Sequence, residues 1–417
     1  MGPLTASFAL LLVLALACRT WLLSRQIASA RAARERVPDA FSDAIPLDAH
    51  RKASDYTTAN ARLAIGEAIL DAVLLALLTW GGVLAWLDTS WRGRGLDGVA
   101  LGLAVIASTW LLTALAGWPF SLYRVFGIET RFGFNRMGWR LYLLDVLKSL
   151  ALMLVLGLPL LAFILWLMQS AGRYWWWYAW LAWAGFSLAL TWAYPAFIAP
   201  LFNRFQPLGD ASLRQRIEAL IARCGFSSRG IYVMDGSRRS AHGNAYFTGF
   251  GANKRIVLFD TLIERLDPEE IEAVVAHELG HFRLHHIRWR LVITLALGLG
   301  GLSVLGWLSA QPRFYTAFGV ATPSPHMALL LFVLVLPILT FWLSPLGAAW
   351  SRRHEFAADR YATAQANAAQ LASALVKLYR ENATTLAPDK IYSAFFDSHP
   401  PAPVRIARLR DAGAEPV

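Results

Sequence analysis

The chain has 417 residues, of which 56% are hydrophobic and only 16% are charged, and its mean hydropathy is +0.43. This composition is too apolar for an ordinary soluble domain and indicates a multi-span membrane protein. The net charge of +11 does not require nucleic acid as a partner, because the cytoplasmic loops of membrane proteins are enriched in Arg and Lys. We therefore expect a lipid bilayer, and no nucleic acid, as the environment of this chain.

Seven apolar stretches are long enough, or nearly so, to cross a bilayer as helices. In chain order they are residues 4–23, 63–86, 99–118, 142–168, 175–200, 289–310 and 326–350. Arginines are concentrated in the loops at 24–62 and 119–141. The positive-inside bias therefore predicts an external N-terminus and places these loops, the long loop before the sixth stretch and the C-terminal tail in the cytoplasm. The Arg- and Ala-rich composition suggests a bacterial source, so the expected location is a bacterial inner (plasma) membrane.

Four ionisable residues lie within the apolar stretches, namely Glu67, Asp71, Asp145 and Lys148. A charge that faces lipid is costly, so we expect these side chains to face other helices or water. Two interpretations follow. They form pairs between helices near the membrane surface, or they line a hydrated interior.

The long polar segment at residues 201–288 contains a predicted strand. Residues 254–259, with the sequence KRIVLF, are rich in β-branched and aromatic side chains and are typical of a strand. An edge strand can hold an extended peptide by β-addition. This makes Ile256 and Val257 candidate substrate-binding residues.

A predicted helix follows the strand and carries the most informative motif of the chain. Residues 267–270 supply an N-cap Asp, a Pro at the first helical position and a Glu three residues after the cap. Residues 277–281 then read HELGH. Residues four apart share one face of a helix, so His277 and His281 can hold one metal ion, and Glu278 can take a proton from an attacking water. This is the working half of a zinc peptidase.

A catalytic zinc requires a third protein ligand. His285 lies about 12 Å along the helix axis from His277, which is too far for three ligands to close a tetrahedron. In the tail, Glu355 is the predicted third ligand, and Asp359, one turn later, is the predicted acceptor for the free N–H of His277 or His281. The alternative for this pair is a solvated charged helix face. The incomplete metal site on the same predicted side of the membrane favours the ligand interpretation.

His399 lies in a proline-rich run at residues 397–401. Peptide hydrolysis develops negative charge on the carbonyl oxygen, and a hydrogen-bond donor close to the metal stabilises that charge. His399 is the predicted donor. The alternative is a surface histidine that has no part in the chemistry.

Several segments resemble the CAAX prenyl protease 1 family, the a-factor-converting integral-membrane zinc proteases of the gluzincin group. They are residues 51–57, 119–135, 200–207, 238–262 (RRSAHGNAYFTGFGANKRIVLFDTL), 355–359 (EFAAD) and 398–406 (SHPPAPVRI). Two features depart from the family pattern. His285 stands where the family usually has Asn, and the loop at 249–254 is shorter than in fungal members.

The resemblance implies a fold and a set of site residues. The implied fold is mainly α, with seven transmembrane helices in a barrel around a hydrated chamber, capped by a gluzincin-like protease domain with a small β element. The implied site has one Zn²⁺ per chain on His277, His281 and Glu355, with Glu278 as the base. It also places His399 beside the transition state and Asn244 near the substrate backbone.

The expected organisation divides the chain into four parts. Residues 1–200 hold transmembrane helices one to five, and 289–350 hold helices six and seven. Residues 201–288 form the first part of the zinc protease domain, with the strand and the H-E-x-x-H helix. Residues 351–417 form its second part, with the third ligand and His399.

The expected function is that of an integral-membrane zinc metalloendopeptidase. Its substrate would be a peptide or protein, possibly lipid-modified or membrane-associated. Two alternatives remain at this point. One is a multi-pass transporter or receptor with a chance H-E-x-x-H, and the other is a membrane quality-control protease of the same clan.

Overall fold

Helices form most of the computed structural model, which describes residues 2–226, 230–248 and 255–414. The α-helices are α1 (Pro3–Ala33), α2 (Leu47–Leu78), α3 (Val83–Arg92), α4 (Gly98–Leu122), α5 (Trp139–Leu152), α6 (Leu158–Ser170), α7 (Trp175–Ala193), α8 (Ala199–Phe202), α9 (Ala211–Arg223), α10 (Asp260–Ile263), α11 (Pro268–Arg283), α12 (His286–Leu308), α13 (Pro312–Ala317), α14 (Pro325–Thr340), α15 (Ser344–Gln365), α16 (Ala368–Glu381), α17 (Lys390–Phe396) and α18 (Ala402–Ala414). The strands are β1 (Phe205–Pro207), β2 (Ile231–Met234), β3 (Ala245–Thr248) and β4 (Arg255–Phe259).

Six helical segments of the described chain are long and apolar enough to cross a membrane, and a bent helix pair supplies a seventh. The six are Pro3–Ala33, Gly98–Glu129, Trp139–Ser170, Gly172–Phe202, His286–Leu308 and Pro325–Gln365. The bent pair is α2 and α3, whose axes differ by 49°. Gly82 stands between them with a φ of 74°, a left-handed conformation that glycine adopts readily. All seven predicted apolar stretches overlap these segments, so the polytopic helical fold is confirmed.

The ionisable residues of the spans have partners on other elements. The contacts are Glu67 with Arg124 at 2.6 Å, Asp145 with Arg239 at 2.8 Å, Asp71 with Arg19 at 3.8 Å, and Lys148 with the carbonyl oxygen of Leu201 at 2.7 Å. Pairing between elements therefore holds for these four side chains. Arg19 and Asp71 also line a cavity between helices, so a hydrated interior stays a prediction. The Asp145–Arg239 pair also joins a span to the polar part of the chain.

The polar segments fold together around one hydrophobic core. Its buried side chains come from α9, α11, α16, α18 and the sheet, and they include Leu220, Leu258, Val275, Ala374 and Ile406. The sheet has the order β1-β2-β4-β3, in which β2 and β4 are parallel and the other pairs are antiparallel. This core fixes α11, α15 and α18 relative to one another, and these are the helices that carry the candidate site.

The predicted edge strand is not an edge strand. β4 lies between β2 and β3, and Ile256 and Val257 are 2% and 3% exposed. A continuous apolar run, rather than an alternating one, is typical of a strand covered on both faces, which explains this inner position. An added peptide cannot pair with β4. The edge next to it is β3, which begins directly after Asn244. The loop 249–254, which includes the first residue of the predicted strand 254–259, lies outside the described residues.

Candidate active site

The N-terminus of α11 is built as the sequence predicts. Glu270 Oε2 accepts a hydrogen bond from the backbone N–H of Asp267 at 2.9 Å, which is the returning half of a capping box. Lys377 donates to the same oxygen at 2.8 Å, and it also donates to Asp267 at 2.7 Å. These contacts fix the start of the helix against α16, so the face that carries the motif has a defined direction.

Gly280 allows α11 and α15 to pack at backbone distance. A Cβ at this position would lie 3.1 Å from both the Cα and the carbonyl oxygen of Ala358. Backbone atoms cannot move aside as a flexible side chain can, so a larger residue would separate the helices. The glycine of the motif therefore brings the histidines of α11 close to the carboxylates of α15.

Potential ligand atoms of three side chains converge between these helices. The Nε2 atoms of His277 and His281 are 3.2 Å apart. Glu355 Oε2 lies 3.5 Å from His277 Nε2, and the other carboxylate oxygen, Oε1, lies 3.3 Å from His281 Nε2. In the described part of the chain, these residues form the one group of three His, Cys, Asp or Glu side chains placed to share an ion.

The geometry of this group fits zinc. Ligand atoms that each lie about 2.0–2.1 Å from one tetrahedral Zn²⁺ are separated from each other by about 3.3 Å. The separation of the two imidazole nitrogens, 3.2 Å, matches that value, and each nitrogen has one of the two Glu355 oxygens at a similar distance, 3.5 or 3.3 Å. Two imidazoles and one carboxylate also form a donor set that leaves a fourth position open for catalysis.

A buried carboxylate and a buried guanidinium support His277. His277 Nδ1 lies 2.9 Å from Asp359 Oδ1, and Arg405 donates to both oxygens of Asp359 at 2.7 and 2.8 Å. Burial opposes the charge of Arg405, but its hydrogen bonds to Asp359 outweigh burial and raise its pKa above the usual range. Arg405 is only 5% exposed, yet sequence reasoning gave it no role. The one available signal was its position inside the family-like segment at 398–406.

Glu278 follows the first histidine on the same helix and is half-buried. Burial raises the pKa of its carboxyl, while the nearby imidazoles of His277, His281 and His399 oppose that rise. A carboxylate whose pKa is moved towards neutral is a better proton acceptor than a solvated one. The position suits a general base.

His399 lies at the edge of the metal group. Its Nδ1 is 2.8 Å from Glu355 Oε2, and 68% of its side chain is exposed. Arg352 holds the preceding segment by donating to the carbonyl oxygens of Ser393 and Asp397 at 3.0 and 2.8 Å. The structure therefore brings His399 to the site, on the side that is open to solvent.

Asn244 is exposed at the start of the edge strand β3. Its carbonyl oxygen accepts a hydrogen bond from the N–H of Phe259 at 3.0 Å, and its side chain caps the N–H of Ala245 at 2.8 Å. The preceding residue, Gly243, is held at both backbone groups by the side-chain amide of Asn382, at 3.2 and 3.4 Å. The sequence gave no indication that Asn382 holds the backbone next to Asn244.

Comparisons with known proteins identify the family. Residues 26–204 match the family model described as CAAX prenyl protease N-terminal, five membrane helices, and residues 207–412 match Peptidase family M48. A CAAX prenyl protease 1 homolog of Arabidopsis thaliana is 34% identical over 397 residues, which cover 91% of each chain. CAAX prenyl protease 1 of Saccharomyces cerevisiae is 31% identical over 400 residues, covering 90% of this chain and 88% of its own. The chain belongs to the CAAX prenyl protease 1 family.

A solved structure agrees with this assignment. The crystal structure of S. mikatae Ste24p matches with a TM-score of 0.90 at 28% identity, and it covers 98% of this chain and 99% of its own. The expected fold class is confirmed. As an M48 family member, the protein is a membrane metalloprotease that acts on peptide or protein substrates. The transporter and receptor alternatives are not favoured, and neither is the quality-control protease.

Proposed function

We propose that this CAAX prenyl protease 1 family member is a zinc metalloendopeptidase, with one Zn²⁺ per chain on His277, His281 and Glu355. The observation that carries the proposal is the convergence of the His277 and His281 Nε2 atoms, 3.2 Å apart, on the carboxylate of Glu355, whose two oxygens lie 3.5 and 3.3 Å from them. A bound zinc would supply Lewis-acid activation of water and of the scissile carbonyl group. The remaining steps belong to side chains of this chain.

Glu278 is the proposed general base. It takes the proton from the attacking water and later returns it to the leaving amine. Asp359, fixed by Arg405, accepts from His277 Nδ1 and so keeps Nε2 free for the metal. His399 donates to the oxygen of the scissile carbonyl as negative charge develops there.

The proposed substrate-binding element is β3 rather than β4. An extended peptide would add to the outer edge of β3, with Asn244, the residue directly before this strand, contacting the peptide backbone. The backbone groups of an edge strand are free to pair, which those of an inner strand are not.

The proposed substrate is a lipid-modified or membrane-associated peptide. Both ligand helices continue into candidate spans. α11 is followed after two residues by α12, and Glu355 lies within the helical segment Pro325–Gln365. The scissile bond is therefore processed close to the bilayer. We also propose a bacterial inner-membrane location with the site on the cytoplasmic side.

Metal analysis and a cleavage assay test the zinc assignment together. The purified protein should hold one zinc per chain, lose peptidase activity on chelation and regain it on zinc addition. Glu355→Gln should lower the zinc content, whereas Glu381→Gln, a carboxylate of α16 outside the site, should not. A parent protein without zinc, or full zinc occupancy in Glu355→Gln, would contradict the assignment.

A further inference from the structure

Two adjacent histidines follow the motif helix, and the proposed mechanism uses neither of them. His285 and His286 form the junction between α11 and α12. His285 has a φ of 61°, a left-handed conformation that is uncommon for residues other than glycine, although Asn, Asp and His adopt it more often than the rest. Its ring is exposed, and its Nδ1 lies 2.8 Å from the carbonyl oxygen of Arg283. His286, by contrast, is 7% exposed.

The break in the helix places His286 against a proposed metal ligand. In an unbroken α-helix, a residue five positions after His281 would lie about 140° away around the axis. The left-handed turn at His285 changes this direction, and His286 Nδ1 lies 3.0 Å from His281 Nδ1. His281 directs its other nitrogen, Nε2, at Glu355 and His277. The imidazole of His281 thus faces the metal group through Nε2 and faces His286 through Nδ1.

The ring of His286 is itself held in place. It stacks on the ring of His354 at a centroid distance of 3.9 Å and an angle of 4°. His354 precedes Glu355 on α15 and packs edge-on against Trp350. The Nδ1 atom of His354 is buried without a hydrogen-bond partner among the described residues. The contact between His354 and His286 is therefore the stacking of the two rings. The stack fixes the plane in which His286 presents Nδ1.

We propose that His286 is the positioning residue of His281, which accepts a hydrogen bond from His281 Nδ1 and thereby commits Nε2 to the metal. A histidine that binds zinc through Nε2 carries its proton on Nδ1, and a fixed acceptor for that proton sets both tautomer and ring orientation. Asp359 accepts the hydrogen bond from Nδ1 of His277, and His286 accepts the corresponding hydrogen bond from His281. The acceptor here is a neutral imidazole, which leaves the net charge of the site unchanged.

The test separates hydrogen bonding from stacking, and it rests on the proposed zinc site. His286→Phe keeps a flat ring on His354 but removes the acceptor. His286→Asn keeps an acceptor on the atom attached to Cγ. His285→Asn is the matched control, because it replaces the neighbouring imidazole at a position where asparagine is well tolerated. Zinc affinity is measured by competition with a chromophoric chelator, and the visible spectrum of the Co²⁺-loaded protein reports ligand geometry.

We expect His286→Phe to lower zinc affinity by about 10–100-fold and to alter the Co²⁺ spectrum. His286→Asn should recover most of that affinity, and His285→Asn should match the parent protein. If His286→Phe does not fold, as judged by gel filtration, His286→Ala replaces it.

The inference is overturned if His286→Phe keeps the zinc affinity and the Co²⁺ spectrum of the parent protein. It is also overturned if His286→Asn or His285→Asn loses as much zinc affinity as His286→Phe. Absence of zinc from the parent protein would instead overturn the proposed function. The two failures are therefore distinguishable.

Discussion

Glu278 is the residue at which metal binding and chemistry should separate. It lies beside the three ligand positions but outside the group that can share an ion. We expect Glu278→Gln to keep the zinc and the fold while turnover falls by about 10²–10⁴-fold, because only the proton transfer is lost. His277→Gln is the contrasting variant, which should lose metal and activity together. Normal turnover in zinc-loaded Glu278→Gln protein would refute the assignment of the base.

His399 should act on the transition state rather than on metal binding. An oxyanion exists only during reaction, so removing its donor should lower kcat more than it raises KM. For His399→Ala we expect kcat to fall by about 10²–10³-fold with zinc retained. Unchanged kinetics would make His399 a surface residue of the proline-rich loop, and a loss of zinc would make it a ligand. Steady-state kinetics and metal analysis on this variant, with Ser398→Ala as control, distinguish the outcomes.

The residues of the site differ in how far the sequence alone could predict them. The spacing of His277 and His281 follows from the period of one helix, so local sequence was sufficient. Glu355 needed the further argument that a metal was short of a ligand. Arg405 and His286 could not be assigned in this way, since one reaches Asp359 from α18 and the other depends on a backbone turn at a non-glycine residue.

At the scale of elements, the close approach of α11 and α15 sets the size of the metal site. Gly280→Ala places a methyl group 3.1 Å from the backbone of Ala358, whereas a Cβ at Gly300, in α12, meets nothing within 4 Å. Both substitutions gain similar helix propensity, so their difference isolates the packing contact. We expect Gly280→Ala to be less stable than Gly300→Ala by about 1–3 kcal/mol and to bind zinc more weakly. Thermal melting and chelator competition measure these effects, and equal behaviour of the two variants would contradict the packing argument.

The strand β3 should depend on the amide that holds the residue before Asn244. Asn382→Ala removes both contacts to the backbone of Gly243, so β3 should bind peptide less well. We expect KM to rise more than kcat falls. Asn367→Ala, at the other end of α16, is the control, because its side chain caps that helix by accepting from Ala369 N. A similar KM in both variants would show that Asn382 has only a general structural effect.

The sheet also shows what a single sequence cannot specify about elements. The strand character of residues 254–259 was predictable from side-chain type, and β4 occupies Arg255–Phe259. Its place in the sheet was not, because that place also depends on β2, an earlier strand that pairs with the opposite edge of β4 from β3. The continuous apolar run was the available signal for an inner strand.

At the scale of the whole molecule, the site exists only if two distant polar segments meet on one side of the membrane. The arginine-rich loops predict that this side is cytoplasmic. In a variant without Cys18 and Cys224, single cysteines can replace Gln215 and Ala407, which are both exposed. Each cysteine would report the side of the membrane on which its polar segment lies. A cysteine at Arg94, in the short connection between α3 and α4, would report the opposite side.

We expect a membrane-impermeant maleimide to label the cysteines at 215 and 407 only after the cytoplasmic face is opened, and the cysteine at 94 in intact cells. The reason is the odd number of crossings between the N-terminus and the tail, which includes the bent pair α2 and α3 as one span. Three candidate spans lie between positions 94 and 215, so labelling of both positions from one face would contradict the span assignment. External labelling of both 215 and 407 would reverse the orientation but keep the site intact. Labelling of 215 and 407 from opposite faces would mean that His277 and Glu355 cannot share a metal ion.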